Sequence, residues 1–151
     1  MTVIAMLDGI YCIFMSYVAY QDYRTRLIHN RSLLVLLILT LLKLGAYYLG
    51  DLSAIIADHI VAALASGIMF FLMYILSGKK MGLGDVLLLS ELSFHFGSSL
   101  AIAIVFLAMI GLSIWGLGMV VVSRTNAQKS LPLAPFLSGS AWLIYAISLG
   151  R

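Results

Sequence analysis

Long apolar runs decide what this chain can fold into. Residues 33–49, 54–76 and 100–122 are almost wholly aliphatic or aromatic. Their apolar positions neither alternate nor keep to the three-four spacing of a half-buried core helix. About 20 such residues cross the roughly 30 Å of hydrocarbon in a bilayer. Lipid offers no water to the backbone, so the runs must be helical. The whole chain is 63% hydrophobic and only 10% charged, whereas a soluble domain carries charge on about a quarter of its residues. The expected class is an all-α integral membrane protein, one transmembrane domain over residues 1–151 with the lipid bilayer as its surroundings.

Six spans are expected, near residues 2–20, 33–49, 54–76, 85–96, 100–122 and 133–149. The fourth is short and carries Glu91 and His95, which leaves a re-entrant or internal helix open. The basic residues sort with this count. Arg24, Arg26 and Arg31 fall in the first loop, Lys79 and Lys80 in the third, Arg124 and Lys129 in the fifth. These are seven of the nine Lys and Arg residues. Six spans put all seven on one side, which the positive-inside rule makes cytoplasmic, with both termini outside. The N-terminus has no basic region of a cleaved signal, and Asp8 comes early, so the first run is expected to be a retained helix.

Several classes of site drop out. No basic patch suits a nucleic acid. The single cysteine, Cys12, lies in the first apolar run and reads as a packing residue, without disulfide or metal cluster. His29, His59 and His95 are scattered and lack metal-ligand spacing, so neither metal nor cofactor is expected. Small residues four apart, Ala62 with Ser66 and Ala63 with Gly67, read as helix-packing positions. The two halves of the chain show no repeat of the kind an inverted-repeat transporter carries.

Charge near the membrane is costly and tends to be functional or to snorkel. Asp22 follows the first expected span, and Asp85 opens the fourth within Gly82-Leu83-Gly84-Asp85. The first span arrives at the basic side and the fourth departs from it, so both carboxylates fall at one face. Two carboxylates in a small site do not both ionise comfortably, and one proton is held between them. The ionised member can take a proton from water while the other polarises a peptide carbonyl, and titration belongs to the pair. Gly82 and Gly84 would let the chain turn through backbone angles closed to other residues and leave room at the aspartate. Read singly, Asp85 is a helix N-cap and Asp22 a surface partner of Arg24 or Arg26. Asn30 suits a cap of the second helix or a contact to substrate. Lys43 either pairs with Glu91 or snorkels outward. Glu91, six positions after Asp85, points to another helix face and is a poor third catalytic acid.

The flanking residues carry a resemblance. Asp22-Tyr23-Arg24-Thr25-Arg26-Leu27-Ile28-His29-Asn30 is similar to the Asp-x5-Ile-Pro-Asn segment of type IV prepilin peptidases. Gly82-Leu83-Gly84-Asp85-Val86-Leu87-Leu88 resembles their Gly-x-Gly-Asp motif. Leu131-Pro132-Leu133-Ala134-Pro135-Phe136-Leu137 resembles the Pro-x-x-Pro-Phe segment that opens their last helix. The three occur in the family's order and span most of the chain. His29 departs from the family's proline, which bears on the shape of the first loop and not on the aspartate. The resemblance implies an aspartyl peptidase of the bacterial inner membrane with Asp22 and Asp85 as the catalytic pair. Gly82, Gly84 and Asn30 would shape the site. Substrates would be prepilins or pseudopilins, cut at the cytoplasmic face, and the chain resembles the short form of tight-adherence (Flp-type) pilus systems that lacks a methyltransferase domain. Two readings of other classes stand beside it. One is a small proton-coupled transporter using Asp22, Asp85 and Glu91; the other is a non-catalytic scaffold of pilus assembly whose aspartates only cap helices.

Overall fold

The computed structural model describes residues 2–50, 52–78, 82–123 and 133–150. Lys79, Lys80, Arg124, Lys129, Leu131 and Pro132 fall outside the described residues, and with them much of the expected charge sorting. The described chain is all helical: α1 Thr2–Thr25, α2 Asn30–Leu49, α3 Ser53–Leu76, α4 Leu83–Ser123 and α5 Ala134–Leu149. The first four contain stretches long and apolar enough to cross a membrane, while α5 has 16 residues. Large apolar side chains cover the outside, among them Leu34, Leu41, Leu64, Ile68, Ile102 and Phe106. A water-soluble monomer rarely exposes so continuous an apolar surface.

Five helical elements stand where six spans are expected, because α4 takes in both the fourth and the fifth. Gly97 breaks it, with φ 75° and ψ 176°, angles that favour glycine. The partners of the two segments show that the chain turns back there. Along residues 83–96, Ser90 meets Ala63 and Gly67 of α3, and Phe94 meets His59, an antiparallel pairing. Beyond the break, Ser98 meets Asp58, and Ala101, Val105 and Met109 line one crevice with Ala62, Ser66 and Met69, a parallel one. The first segment is about 20 Å long at the usual rise, less than a full bilayer crossing.

A broken helix leaves carbonyl and amide groups that must find other partners. Phe94 O accepts from His59 Nδ1 at 2.7 Å, and Ser98 N donates to Asp58 Oδ2 at 3.0 Å. His95 O accepts from Lys43 Nζ at 2.9 Å. Three side chains with polar or charged ends thus replace the helical bonds that Gly97 interrupts. This corrects the expectation for Lys43, which neither pairs with Glu91 nor snorkels. It is buried, and it also forms an ion pair with Asp8 at 2.7 Å.

The helices form a ring in which α1 packs on α2 and α5, α4 packs on α2 and α5, and α3 lies outside against α4 and α2. Among the described residues, no Cα of α1 comes within 8 Å of a Cα of α4. Their side chains fill the space between. Tyr11, Met15 and Val18 of α1 and Leu88, Leu89 and Leu92 of α4 are fully buried, and the Tyr11 ring stacks on His95 at 3.7 Å. The small residues of α3 are indeed packing positions. Ala63 O accepts from Ser90 Oγ at 3.0 Å, and a Cβ on Gly67 would come 2.9 Å from that hydroxyl oxygen.

Candidate active site

The end of α1 lies further along the chain than the apolar pattern predicts. The helix continues through Gln21, Asp22 and Tyr23 to Thr25, since none of these residues breaks a helix. Asp22 therefore belongs to the last turn of α1 and not to a loop. Arg26 stops the helix with φ 52°, and Thr25 Oγ1 donates to Gln21 O and Leu27 O across the stop. The three residues 27–29 then lead straight into α2. Its cap position is His29, whose side chain makes no capping bond. Asn30 is the first helical residue and exposed, which removes the capping role expected for it.

Asp22 is only 6% exposed. Its Oδ2 accepts the backbone N–H of Ala134 at 3.2 Å, the first residue of α5. A helix N-terminus offers unsatisfied N–H groups and the positive end of the peptide dipoles, so the carboxylate occupies a ready anion position. Pro135 follows in the first turn of α5, where its missing N–H costs nothing. The Pro-x-x-Pro-Phe segment thus supplies the partner that holds Asp22.

Asp85 stands in the first turn of α4. Gly82 precedes that helix, and its carbonyl accepts from Asp85 N at 3.1 Å. The Asp85 side chain folds back over the helix entrance, with Oδ2 3.2 Å from where a Cβ on Gly82 would stand. This is the reach of a capping box. Gly84 meets the first loop instead, since a Cβ there would lie 3.1 Å from Ile28 Cβ. Gly84 lies within the first turn of α4 and so has helical backbone angles. At Gly84 the expected special turn is therefore corrected to a close-packed helical position. Both positions are small because a neighbour comes close.

These contacts bring the three motif segments together at one end of the bundle. Asp22 touches the start of α5, Ile28 packs on Gly84, and Asp85 lies within reach of the Asp22 charge. Asp22 is buried and Asp85 half-buried, with the exposed Tyr23 and Gly82 beside them. A peptide and a water admitted there would meet two carboxylates, one able to take the water's proton and the other to hand a proton to the carbonyl oxygen. Glu91 takes no part, because it bonds to Tyr11 and Thr40 in the interior. Two contacts were not legible beforehand, the Ala134 N–H and the Ile28–Gly84 packing. The proline that marks a helix start was the available signal for the first.

The chain matches no curated protein and no solved structure. Residues 9–117 match the type IV leader peptidase family. That stretch holds Asp22, Ile28, Gly82, Gly84 and Asp85, and ends before α5. It covers well over half of the chain, and the chain therefore belongs to the type IV leader peptidase family.

Proposed function

We propose that the protein is a membrane aspartyl endopeptidase that removes the leader peptide of prepilins or pseudopilins, with Asp22 and Asp85 as its catalytic pair. The observation that carries the reading is the meeting of Asp22, Ile28, Gly84 and Asp85 at one bundle end, with Asp22 tied to the α5 N-terminus. Water attacks the scissile carbonyl as one carboxylate accepts its proton. The other carboxyl gives a proton to the developing oxyanion, and the tetrahedral adduct collapses with the proton moving to the leaving amine. Gly82 keeps room for the Asp85 carboxylate, and Gly84 lets the first loop close onto α4. Asn30, exposed at the start of α2, lines the approach of the substrate chain. The whole chain acts as one domain.

The site faces the cytoplasm of a bacterial inner membrane in this reading. Arg24, Arg26 and Arg31 lie at the same end as the aspartates, as the positive-inside rule requires of a cytoplasmic end. Both termini then lie outside. The test is processing of a co-expressed prepilin followed by its shift on a gel. Asp22→Asn and Asp85→Asn, each inserted at the normal level, are expected to leave the precursor uncut. Normal processing by both variants, or Asp85-dependent proteoliposome flux without any peptidase activity, would overturn the reading.

A further inference from the structure

A second set of titratable side chains sits in the middle of the ring and takes no part in the reaction proposed above. Lys43 Nζ lies 2.7 Å from Asp8 Oδ1, and His95 Nε2 lies 3.0 Å from the same oxygen. Thr40 Oγ1 lies 3.0 Å from His95 Nδ1 and 2.7 Å from Glu91 Oε1. Tyr11 donates its hydroxyl to Glu91 Oε2 at 2.5 Å. Thr40, Lys43, His95 and Glu91 are all buried, and among the described residues no buried side-chain nitrogen or oxygen lacks a partner.

Counting hydrogens along this chain fixes how many protons it holds. Asp8 faces the Lys43 ammonium and is an acceptor, so His95 Nε2 must carry a hydrogen. The Thr40 hydroxyl has one hydrogen for two neighbours. Two arrangements satisfy every contact. In one, Glu91 is protonated and donates to Thr40, which donates to a neutral His95 at Nδ1. In the other, Thr40 donates to an ionised Glu91 and accepts from His95 Nδ1–H, which makes the ring an imidazolium. Both contain the same number of protons and both are electrically neutral with Lys43 and Asp8 included. One proton more or one fewer would leave a net charge in the bundle interior, which is expensive.

We propose that this cluster is a proton-binding site, distinct from the aspartate pair, whose single proton is shared between Glu91 and His95 through the Thr40 hydroxyl. Transfer is balanced. The O–H bond of Glu91 breaks as one forms on Thr40, and the original Thr40 O–H breaks as an N–H forms on His95. Nothing enters or leaves. The surrounding groups leave the count unchanged. On α1, Asp8 and Tyr11 are committed to the cluster, and Cys12 lies buried beside Tyr11. On α2, the Tyr47 ring lies 5.8 Å from Lys43 Nζ. On α3, Asp58 is spent on Ser98 and His59 on Phe94 O. On α5, the Tyr145 hydroxyl donates to Ala5 O. The same cluster spans the gap between α1 and α4, whose backbones do not meet, so the proton belongs to the bridge between those helices.

The test is nuclear magnetic resonance of the full chain in nanodiscs, reading the Glu91 carboxyl carbon and the His95 ring nitrogens. The protonated fraction of Glu91 and the imidazolium fraction of His95 are expected to add up to one from about pH 5 to about pH 8, where an ordinary histidine titrates. Thr40→Ser keeps the hydroxyl and should keep that sum. Thr40→Val removes it, and the two residues should then titrate separately. Should Thr40→Val fail to fold, the wild-type sum and the Thr40→Ser sum decide. Ionised Glu91 beside neutral His95, both residues protonated together, or unchanged coupling in folded Thr40→Val would each overturn the proposal. The readout needs no peptidase activity and stands or falls independently of the proposed reaction.

Discussion

At one end of the bundle, the Asp22 carboxylate meets the N-terminus of α5 and Asp85 stands in the first turn of α4, both beside exposed neighbours and with few partners of their own. Deeper on the same two helices, Asp8 and Glu91 are each held by two side chains from other helices or segments. The residue types match but the surroundings differ. A carboxylate meant to meet a peptide and a water needs unspent hydrogen-bonding capacity and an opening. A carboxylate buried among helices needs every oxygen occupied, because an uncompensated charge there is destabilising. Under the proposed function, the difference separates acids that meet substrate from acids that bridge helices, and it predicts opposite consequences of substitution.

The largest effect is expected at the end face. Asp22→Asn or Asp85→Asn should cut prepilin processing on the order of 10³-fold or more, the usual scale for removing a general acid or base. The thermal midpoint in detergent should barely change. A fall in midpoint as large as the fall in activity would erase the distinction, since these aspartates would then be structural. Next in size comes the interior. Lys43→Met leaves Asp8 without its cation and His95 O without its donor, and should cost about 3–5 kcal/mol in a reversible unfolding assay. Adding Asp8→Asn to that variant removes the unpaired charge and should restore a large part. If Lys43→Met alone is neutral, the interior charges do not hold α1, α2 and α4 together.

Gly97 tests the break that these interior groups serve. Its φ of 75° is strained for any other residue, and a Cβ there would stand 2.6 Å from Asp58 Oδ2. Gly97→Ala is expected to cost about 2 kcal/mol in unfolding free energy. Asp58→Asn in the same background should recover little, since the backbone angle remains. Full recovery would mean that the carboxylate, and not the angle, requires glycine.

The end face was legible in the sequence because its residues are neighbours along the chain. Asp22 comes with Ile28, and Asp85 with Gly82 and Gly84, so short motifs announce them. The interior is built from Asp8, Tyr11, Thr40, Lys43, Glu91 and His95, one or two per helix, and only helix packing decides which of them meet. Lys43 and Glu91 were visible as expensive charges, but Asp8 is equally near and no spacing rule ranks the two partners. The merging of the expected fourth and fifth spans was hidden for a related reason. Gly97-Ser98-Ser99 reads as an ordinary loop, and it is the side chains of Asp58, His59 and Lys43 that allow a one-residue reversal.

The smallest expected effect separates the two glycines of the Gly-x-Gly-Asp segment. A methyl on Gly84 would press on Ile28 Cβ at 3.1 Å, a branched carbon next to the backbone that cannot swing away. Gly84→Ala should therefore displace the first loop and cost about 1 kcal/mol of stability, the low end of overpacking. A methyl on Gly82 would meet the far end of the Asp85 side chain at 3.2 Å, which can rotate. Gly82→Ala should leave stability within about 0.5 kcal/mol of the parent, and yet slow processing because the displaced group is the carboxylate itself. Measured side by side, the two variants should rank in opposite orders on unfolding and on the ratio of activity to stability. If Gly82→Ala proves the more destabilising and the less impaired in processing, the Asp85 carboxylate is not held over Gly82 during turnover, and the glycine serves the backbone instead.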